Sequence, residues 1–352
     1  MSAFAGLPEQ PYAARMLDAA LERPAHAYLL SGPGGSGKRR YADRFAAAIL
    51  DTELGRVERR THPDLFVLEP EGQGILVEGA RRLRRDLYLR PYEAARRVYL
   101  ILDAHLLRDE SANALLKSIE EPPEYGVFVL VSDHAGRMLP TILSRVQTVP
   151  FRRFPAGELE RIVSDPVAAR AALGSLARAE ELANDPAAAG RRRAYLDLAR
   201  ASASDPEFDP AAAAAAVLAS TGERAKAESK KVGTEAAERL ASVDDPKERR
   251  ALEKRFDDRA KRAGRRAEWD ELRLAVDTVG SWYRDLMATG LGAGDSVVNS
   301  DIAGDLSPAP AGAAGHAARA LEVVADVRRS LELNINPGLG LEAMFHRLHQ
   351  AR

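Results

Sequence analysis

The 352-residue chain has no cysteine. Disulfides, thiolate nucleophiles and cysteine-ligated zinc are thereby excluded, and the absence suits a reducing compartment. Aromatic residues make up only 6%, and neither sign of charge is in surplus: 51 Lys and Arg stand against 52 Asp and Glu, a formal net charge of −1. Global polycationic attraction to nucleic acid is ruled out, although a local basic patch is not. No apolar run approaches the ~20 residues that cross a bilayer. The first residues, "MSAFAGLPEQPYAARML", lack the basic start and apolar core of a secretory leader. The expectation is a cytoplasmic protein with no membrane partner. At ~100–200 residues per domain, the length predicts two or three domains.

What is present is ordered along the chain. "AYLLSG" (27–32), "LFVLEP" (65–70), "VYLILDA" (98–104) and "VFVLVSD" (127–133) are short, nearly continuous apolar runs ending in polar or turn residues. Such runs suit strands buried on both faces. Helix-like segments lie between them, such as 38–50 with Tyr41, Phe45 and Leu50 spaced for one face. Strand and helix in alternation predict an α/β domain with a parallel sheet over residues 1–150.

Beyond 150 the apolar runs stop and alanine rises. Breaks at Asp165-Pro166 and Asp185-Pro186 read as boundaries of short helices over 151–200, because the residue before proline avoids the helical region. "ASASDPEFDP" opens a third, helical region, 201–352. Within it, 222–268 is densely charged with opposite signs four apart (Glu235/Arg239, Asp257/Lys261, Asp258/Arg262), the pattern of a solvent-exposed helix or helix pair. Both signs are interspersed, which argues against a nucleic-acid arm. Leu321, Val324, Val327 and Leu331 form an apolar stripe, followed by Leu341, Met344, Phe345 and Leu348. Either set could serve a core or a subunit interface, and a core is the commoner use.

The most informative stretch is "SGPGGSGK" (31–38), a G-x-x-x-x-G-K loop after a strand and before a helix. Gly32, Gly34, Gly35 and Gly37 would let backbone N–H groups turn inward as an anion cradle at a helix N-terminus, and Lys38 would reach the outer phosphates of ATP or ADP. Hydrolysis requires more. The hydroxyl that follows the lysine in such loops ligates Mg²⁺, and here the position is Arg39, which cannot ligate a cation. A strand-end carboxylate survives as Asp103, but the next position, where a glutamate would orient water, is Ala104. Nucleotide binding that is weak or metal-poor, with little turnover, is the expectation.

Three further strings sharpen the reading: "AHAYLLSGP" (25–33), "LLRDESANALLKSIEEPPEYGVFVLVS" (106–132) and "LPTILSRVQTVPF" (139–151). Together with the loop they resemble the AAA+ subunits of the bacterial sliding-clamp loader, and among these the delta-prime subunits of DNA polymerase III. The resemblance is strongest over the first ~150 residues and thin beyond them. It implies a nucleotide-binding AAA+ domain, a small helical lid at 151–200, and an all-helical collar at 201–352 that joins motor and clamp-opening subunits in an open ring. That ring places the sliding clamp on primed DNA. It also implies that Arg145, with Ser144, is an arginine finger offered to ATP on the neighbouring subunit. By the same resemblance Arg178 stands for the second nucleotide sensor, and Ser132 could be the first or simply a strand-terminal serine. The zinc module of many relatives has no cysteines here, so no zinc is expected. Losing the Mg²⁺ hydroxyl and the acidic pair favours a non-hydrolysing delta-prime role over the alternative, an active motor ATPase. Finally, Arg81, Arg84 and Arg85 share a helix face that could meet DNA phosphates or simply face water.

Overall fold

The computed structural model describes residues 2–7, 10–70, 74–241, 243, 245–306, 312–332 and 336–351. It divides into two compact units, residues 1–180 and 181–352.

The first unit is built on a parallel sheet of β1 (Ala27–Ser31), β2 (Leu65–Leu68), β3 (Arg97–Ile101), β4 (Gly126–Ser132) and β5 (Gln147–Pro150), in the order β2-β3-β4-β1-β5. The strands read as continuous apolar runs because helices cover both faces. Tyr28, Leu30, Val98, Leu100, Val127 and Val129 point into one core, while Leu29, Tyr99, Ile101, Phe128 and Leu130 point into the other. The first core is closed by α1 (Pro11–Glu22), α2 (Lys38–Ile49) and α3 (Leu54–Glu58) through Leu17, Tyr41, Phe45 and Val57. The second is closed by α4 (Val77–Asp86), α5 (Asp109–Glu120) and α6 (Pro140–Leu143) through Leu83, Leu115, Ile119 and Ile142. A parallel sheet with both faces covered is the expected α/β architecture.

β5 is the strand that hydrophobicity does not announce. Its residues pair with β1 from Tyr28↔Gln147 to Ser31↔Pro150, yet only Val149 is buried. A polar strand ending in proline is tolerated there because it lies on the sheet edge, where one row of backbone groups needs no partner strand. Short helices follow: α7 (Ala156–Val163), α8 (Pro166–Ala171) and α9 (Leu176–Asn184). Phe154, Leu159, Ala169, Ala172, Leu176 and Ala179 form their own small core.

The second unit is helical: α10 (Pro186–Ser204), α11 (Pro210–Leu240), α12 (Pro246–Gly290), α13 (Ala313–Glu332) and α14 (Pro337–Gln350), with short 3₁₀ turns at Gly294–Ser296 and Ser300–Leu306. The Asp-Pro pairs start helices: the carboxylates of Asp165, Asp185, Asp209 and Asp245 each accept a backbone N–H of the first turn, with proline just inside. The apolar stripes are core. Val324, Val327 and Leu331 join Leu341, Met344, Phe345 and Leu348 around Val279 and Tyr283. The charged stretch spans both long helices, which run against each other. Ser229 Oγ donates to Ala260 O at 3.0 Å, and Arg259 pairs with Glu235 at 2.9 Å across the gap.

Candidate functional site

β1 ends at Ser31, and the turn through Gly32 and Gly34 reaches α2 with Gly37 as a left-handed N-cap at φ 85°. A residue with a side chain pays a steric penalty in that conformation. Gly35 is needed for a second reason: a Cβ there would lie 1.9 Å from Ser175 Oγ. The segment entering α9 therefore rests directly on the loop, and the Leu176 N–H donates to Gly35 O at 2.9 Å. Arg178 sits in that first turn, half-buried, its backbone N–H donating to Ser175 Oγ at 3.3 Å. Arg40 of α2 adds a two-pronged bond to Glu180 of α9, at 2.9 and 2.5 Å.

Inside the loop the cations are already engaged. The Lys38 side chain is only 3% exposed and pairs with Asp133 at 2.8 Å. Its ammonium also donates to Gly32 O at 2.8 Å, Pro33 O at 2.6 Å and Ser36 Oγ at 3.2 Å. An ammonium has three protons to donate, so these partners saturate it. Burial pulls Lys38 below the ordinary lysine range, and Asp133 and Asp103 oppose the shift. Arg39 lies 3.6 Å from Asp103. Asp103 stands just beyond β3 with φ 50° and ψ 47°, a left-handed conformation that is uncommon for a residue with a side chain. The glycine cradle fits a phosphate. The residues around it suit Mg²⁺ poorly, because the Arg39 guanidinium faces, at 3.6 Å, the carboxylate that would ligate the metal. Ser132, fully buried at the end of β4, accepts the His134 N–H at 3.2 Å and lies 3.4 Å from His105 Nδ1.

Arg145 occupies the other end of the sheet. It precedes β5, whose first residue pairs with Tyr28 near the start of β1, whereas the cradle begins after β1 ends. At ~3.3 Å per strand residue the two sites are ~20 Å apart along the strands, beyond the reach of one side chain. The Arg145 side chain is 37% exposed and pairs with Glu120 at 2.9 Å. It also donates to Thr141 O at 2.8 Å and Ser144 Oγ at 3.0 Å, while Ser144 Oγ donates to Thr141 O at 3.1 Å. An open groove of about 590 Å³ lies here, lined by His26, Glu120, Glu121, Ser144, Arg145 and Gln147 among others.

Comparison with known proteins bears on both ends. Residues 10–155 match the family model described as "DNA polymerase III, delta subunit". The DNA polymerase III subunit delta' of Bacillus subtilis is 33% identical over 156 residues, covering 41% of this chain and 47% of that protein. Its Pseudomonas aeruginosa counterpart is 40% identical over 135 residues, covering 34% and 41%. Over residues 10–155 the chain is therefore similar to DNA polymerase III delta' subunits. The gamma/tau subunit of Mycobacterium tuberculosis is also similar, at 31% identity over 183 residues, covering 46% of this chain and 31% of that one. The chain thus spans about half, or less, of the length of the curated relatives it matches.

In the first unit Gly32, Gly34, Gly35, Gly37, Lys38, Asp103 and Ser132 gather at the C-terminal ends of β1, β3 and β4, with Arg178 beside them on α9. Ser144 and Arg145 stand apart. Arg81, Arg84 and Arg85 are exposed on α4, with Leu83 and Leu87 turned inward. Glu78 pairs with Arg81 at 3.9 Å and with Arg85 at 3.2 Å. Asp133 and Glu120 are missed by motif reading. The available signal for Asp133 is a carboxylate directly after a buried strand, beside the phosphate loop.

Proposed function

We propose that the chain is a clamp-loader subunit of the DNA polymerase III holoenzyme that helps place the sliding clamp on primed DNA. In this reading it turns over little or no ATP itself, and it lends Arg145 to ATP bound by a neighbouring motor subunit. The observation that carries it is the position of Arg145, partly exposed at the end of the sheet opposite its own cradle. A guanidinium so placed is out of reach of its own cradle, and in this reading it exchanges Glu120 for a phosphate that another chain brings to it. There it would neutralise charge spreading over the equatorial oxygens of the transferring phosphoryl group.

The cradle supports the other half of the reading. Asp133 sits against Lys38 as an internal anion, so ATP or ADP must displace a carboxylate before it binds. Arg39 faces Asp103 at 3.6 Å and so competes with Mg²⁺ for that carboxylate. The collar role of the second unit, the sensor roles of Ser132 and Arg178, and phosphate contacts by Arg81, Arg84 and Arg85 belong to the same proposal. Partners would be the motor and clamp-opening subunits, and through them the clamp and DNA.

ATP turnover of the chain alone, and of a mixture with motor and clamp-opening subunits, tests the proposal. A silent isolated chain, with an assembly whose DNA-stimulated rate falls on Arg145→Ala, supports it. Robust turnover by the isolated chain, abolished by Lys38→Ala and indifferent to Arg145, overturns it in favour of a motor ATPase.

A further inference from the structure

Residues 87–94 lead from α4 to β3 and carry the two most exposed large apolar side chains among the described residues: Tyr92 at 84% and Tyr88 at 83%. Exposed rings on a slack loop would mean little, but this segment is anchored. Asp64, fully buried, accepts the N–H groups of Tyr92 at 2.6 Å, Glu93 at 2.8 Å and Ala94 at 2.9 Å. Arg97 pairs with Asp64 at 3.4 Å and donates to Arg90 O at 3.3 Å, and the Tyr125 hydroxyl donates to Leu87 O at 3.1 Å. The backbone is held while the rings are left in water.

The Tyr88 ring also stands in line with charge. Leu87 keeps helical dihedrals, and the Tyr88 N–H donates to Arg85 O at 3.4 Å, so the last turn of α4 carries on to Tyr88. Arg81, Arg84, Arg85 and Tyr88 therefore recur at i, i+3, i+4 and i+7, on the face opposite buried Leu83. Arg82 and Arg90 are exposed beside them. The nearby acids are engaged: Asp86 with Arg97 at 2.7 Å, Glu93 with Arg56, and Glu78 with Arg81 and Arg85.

A duplex backbone needs the arginines and has no use for two rings in water. An unpaired strand needs both, phosphates on guanidinium groups and bases on π-faces. We infer that Tyr88 and Tyr92 form a stacking platform for unpaired bases of a single-stranded nucleic acid whose phosphates lie along Arg81, Arg84 and Arg85. This rests on the phosphate-contact reading of α4 and adds to it the choice of single strand over duplex.

The test is fluorescence anisotropy of the full chain at low salt, with a labelled oligothymidylate and a blunt duplex of equal length. Tyr88→Ala with Tyr92→Ala is expected to weaken the single strand by about five- to a hundred-fold and to leave the duplex within about two-fold. The paired phenylalanine variant keeps the rings and is expected to bind like the wild type. Arg84→Ala weakens both ligands and lowers the salt slope by about one. A bromodeoxyuridine-substituted strand should photo-crosslink to Tyr88 or Tyr92. Wild-type chain that binds neither ligand overturns the phosphate-contact reading and the platform together. Binding of both ligands with the alanine variant unchanged overturns the platform alone. So does an alanine variant that binds DNA normally but no longer joins other clamp-loader subunits, which would make the face a protein surface.

Discussion

The two ends of one sheet hold basic side chains in opposite conditions. At the C-terminal end Lys38 is buried and saturated by loop carbonyls and Asp133, and Arg39 faces Asp103. At the N-terminal end Arg145 is half-exposed, and its carboxylate partner Glu120 is equally exposed, at 37%. Burial makes the difference. Breaking one partner of a buried pair leaves an uncompensated charge at several kcal/mol, whereas an exposed pair exchanges with water for roughly 0–1 kcal/mol. Lys38 is kept in place by burial, whereas Arg145, like the 40% exposed Arg39, can exchange its partner for water.

The largest effect should come from the free end. Arg145→Ala is expected to slow the DNA-stimulated turnover of an assembled loader by about 10³–10⁵ at the site it serves. Turnover by the isolated chain should not change, which steady-state phosphate release would show. At the closed end, Gly35→Val drives a side chain into Ser175 and imposes a left-handed strain, a loss of about 1–3 kcal/mol. It should appear as a lowered denaturation midpoint with an unchanged slope. Asp133→Asn removes the internal anion, and nucleotide affinity by calorimetry should rise about ten-fold, or ~1.4 kcal/mol. Unchanged affinity would mean that Asp133 does not compete with phosphate.

Two smaller effects sharpen the contrast. Burial alone would raise the Asp64 carboxyl, but the N–H groups of Ala94, Glu93 and Tyr92 and the Arg97 charge hold it below the ordinary range. Its stabilising contribution is complete above the unfolded value of about 3.9 and is lost as pH falls through the lower folded value. Wild type should therefore lose stability more steeply below about pH 4 than Asp64→Asn, which starts less stable at neutral pH. The smallest change is Glu120→Gln. It should alter stability by under ~1 kcal/mol and raise assembly turnover slightly, by freeing Arg145.

Much of the site was legible in order but not in arrangement. The strand–loop–helix pattern located the cradle, because Gly37 and Lys38 act within a few residues of each other. Neither the Lys38–Asp133 pair nor the Arg39–Asp103 pair can be read from spacing, since Lys38 and Arg39 open α2 while Asp133 and Asp103 lie just beyond β4 and β3. The charge pattern of 222–268 predicted exposed helices, yet Glu235 meets Arg259 on the facing helix rather than being tied only to its own. β5 escaped because a strand half in water needs only one buried side chain, Val149.

The sequence by itself determined the local choices. Buried strands had to be largely apolar, Asp-Pro pairs had to start helices, and glycine stands at the left-handed positions 35 and 37 of the loop, since each follows from the sterics or solvation of a few neighbouring residues. Only the tertiary structure decided what long-range pairing brings together. The order β2-β3-β4-β1-β5 sets β5 beside β1, and the parallel register of that pairing puts Arg145 at the opposite end of the strands from the loop. The same sheet sets β4 beside β1 and carries Asp133 to Lys38. Strand pairing is a non-local contact between segments more than a hundred residues apart, and no local propensity fixes it.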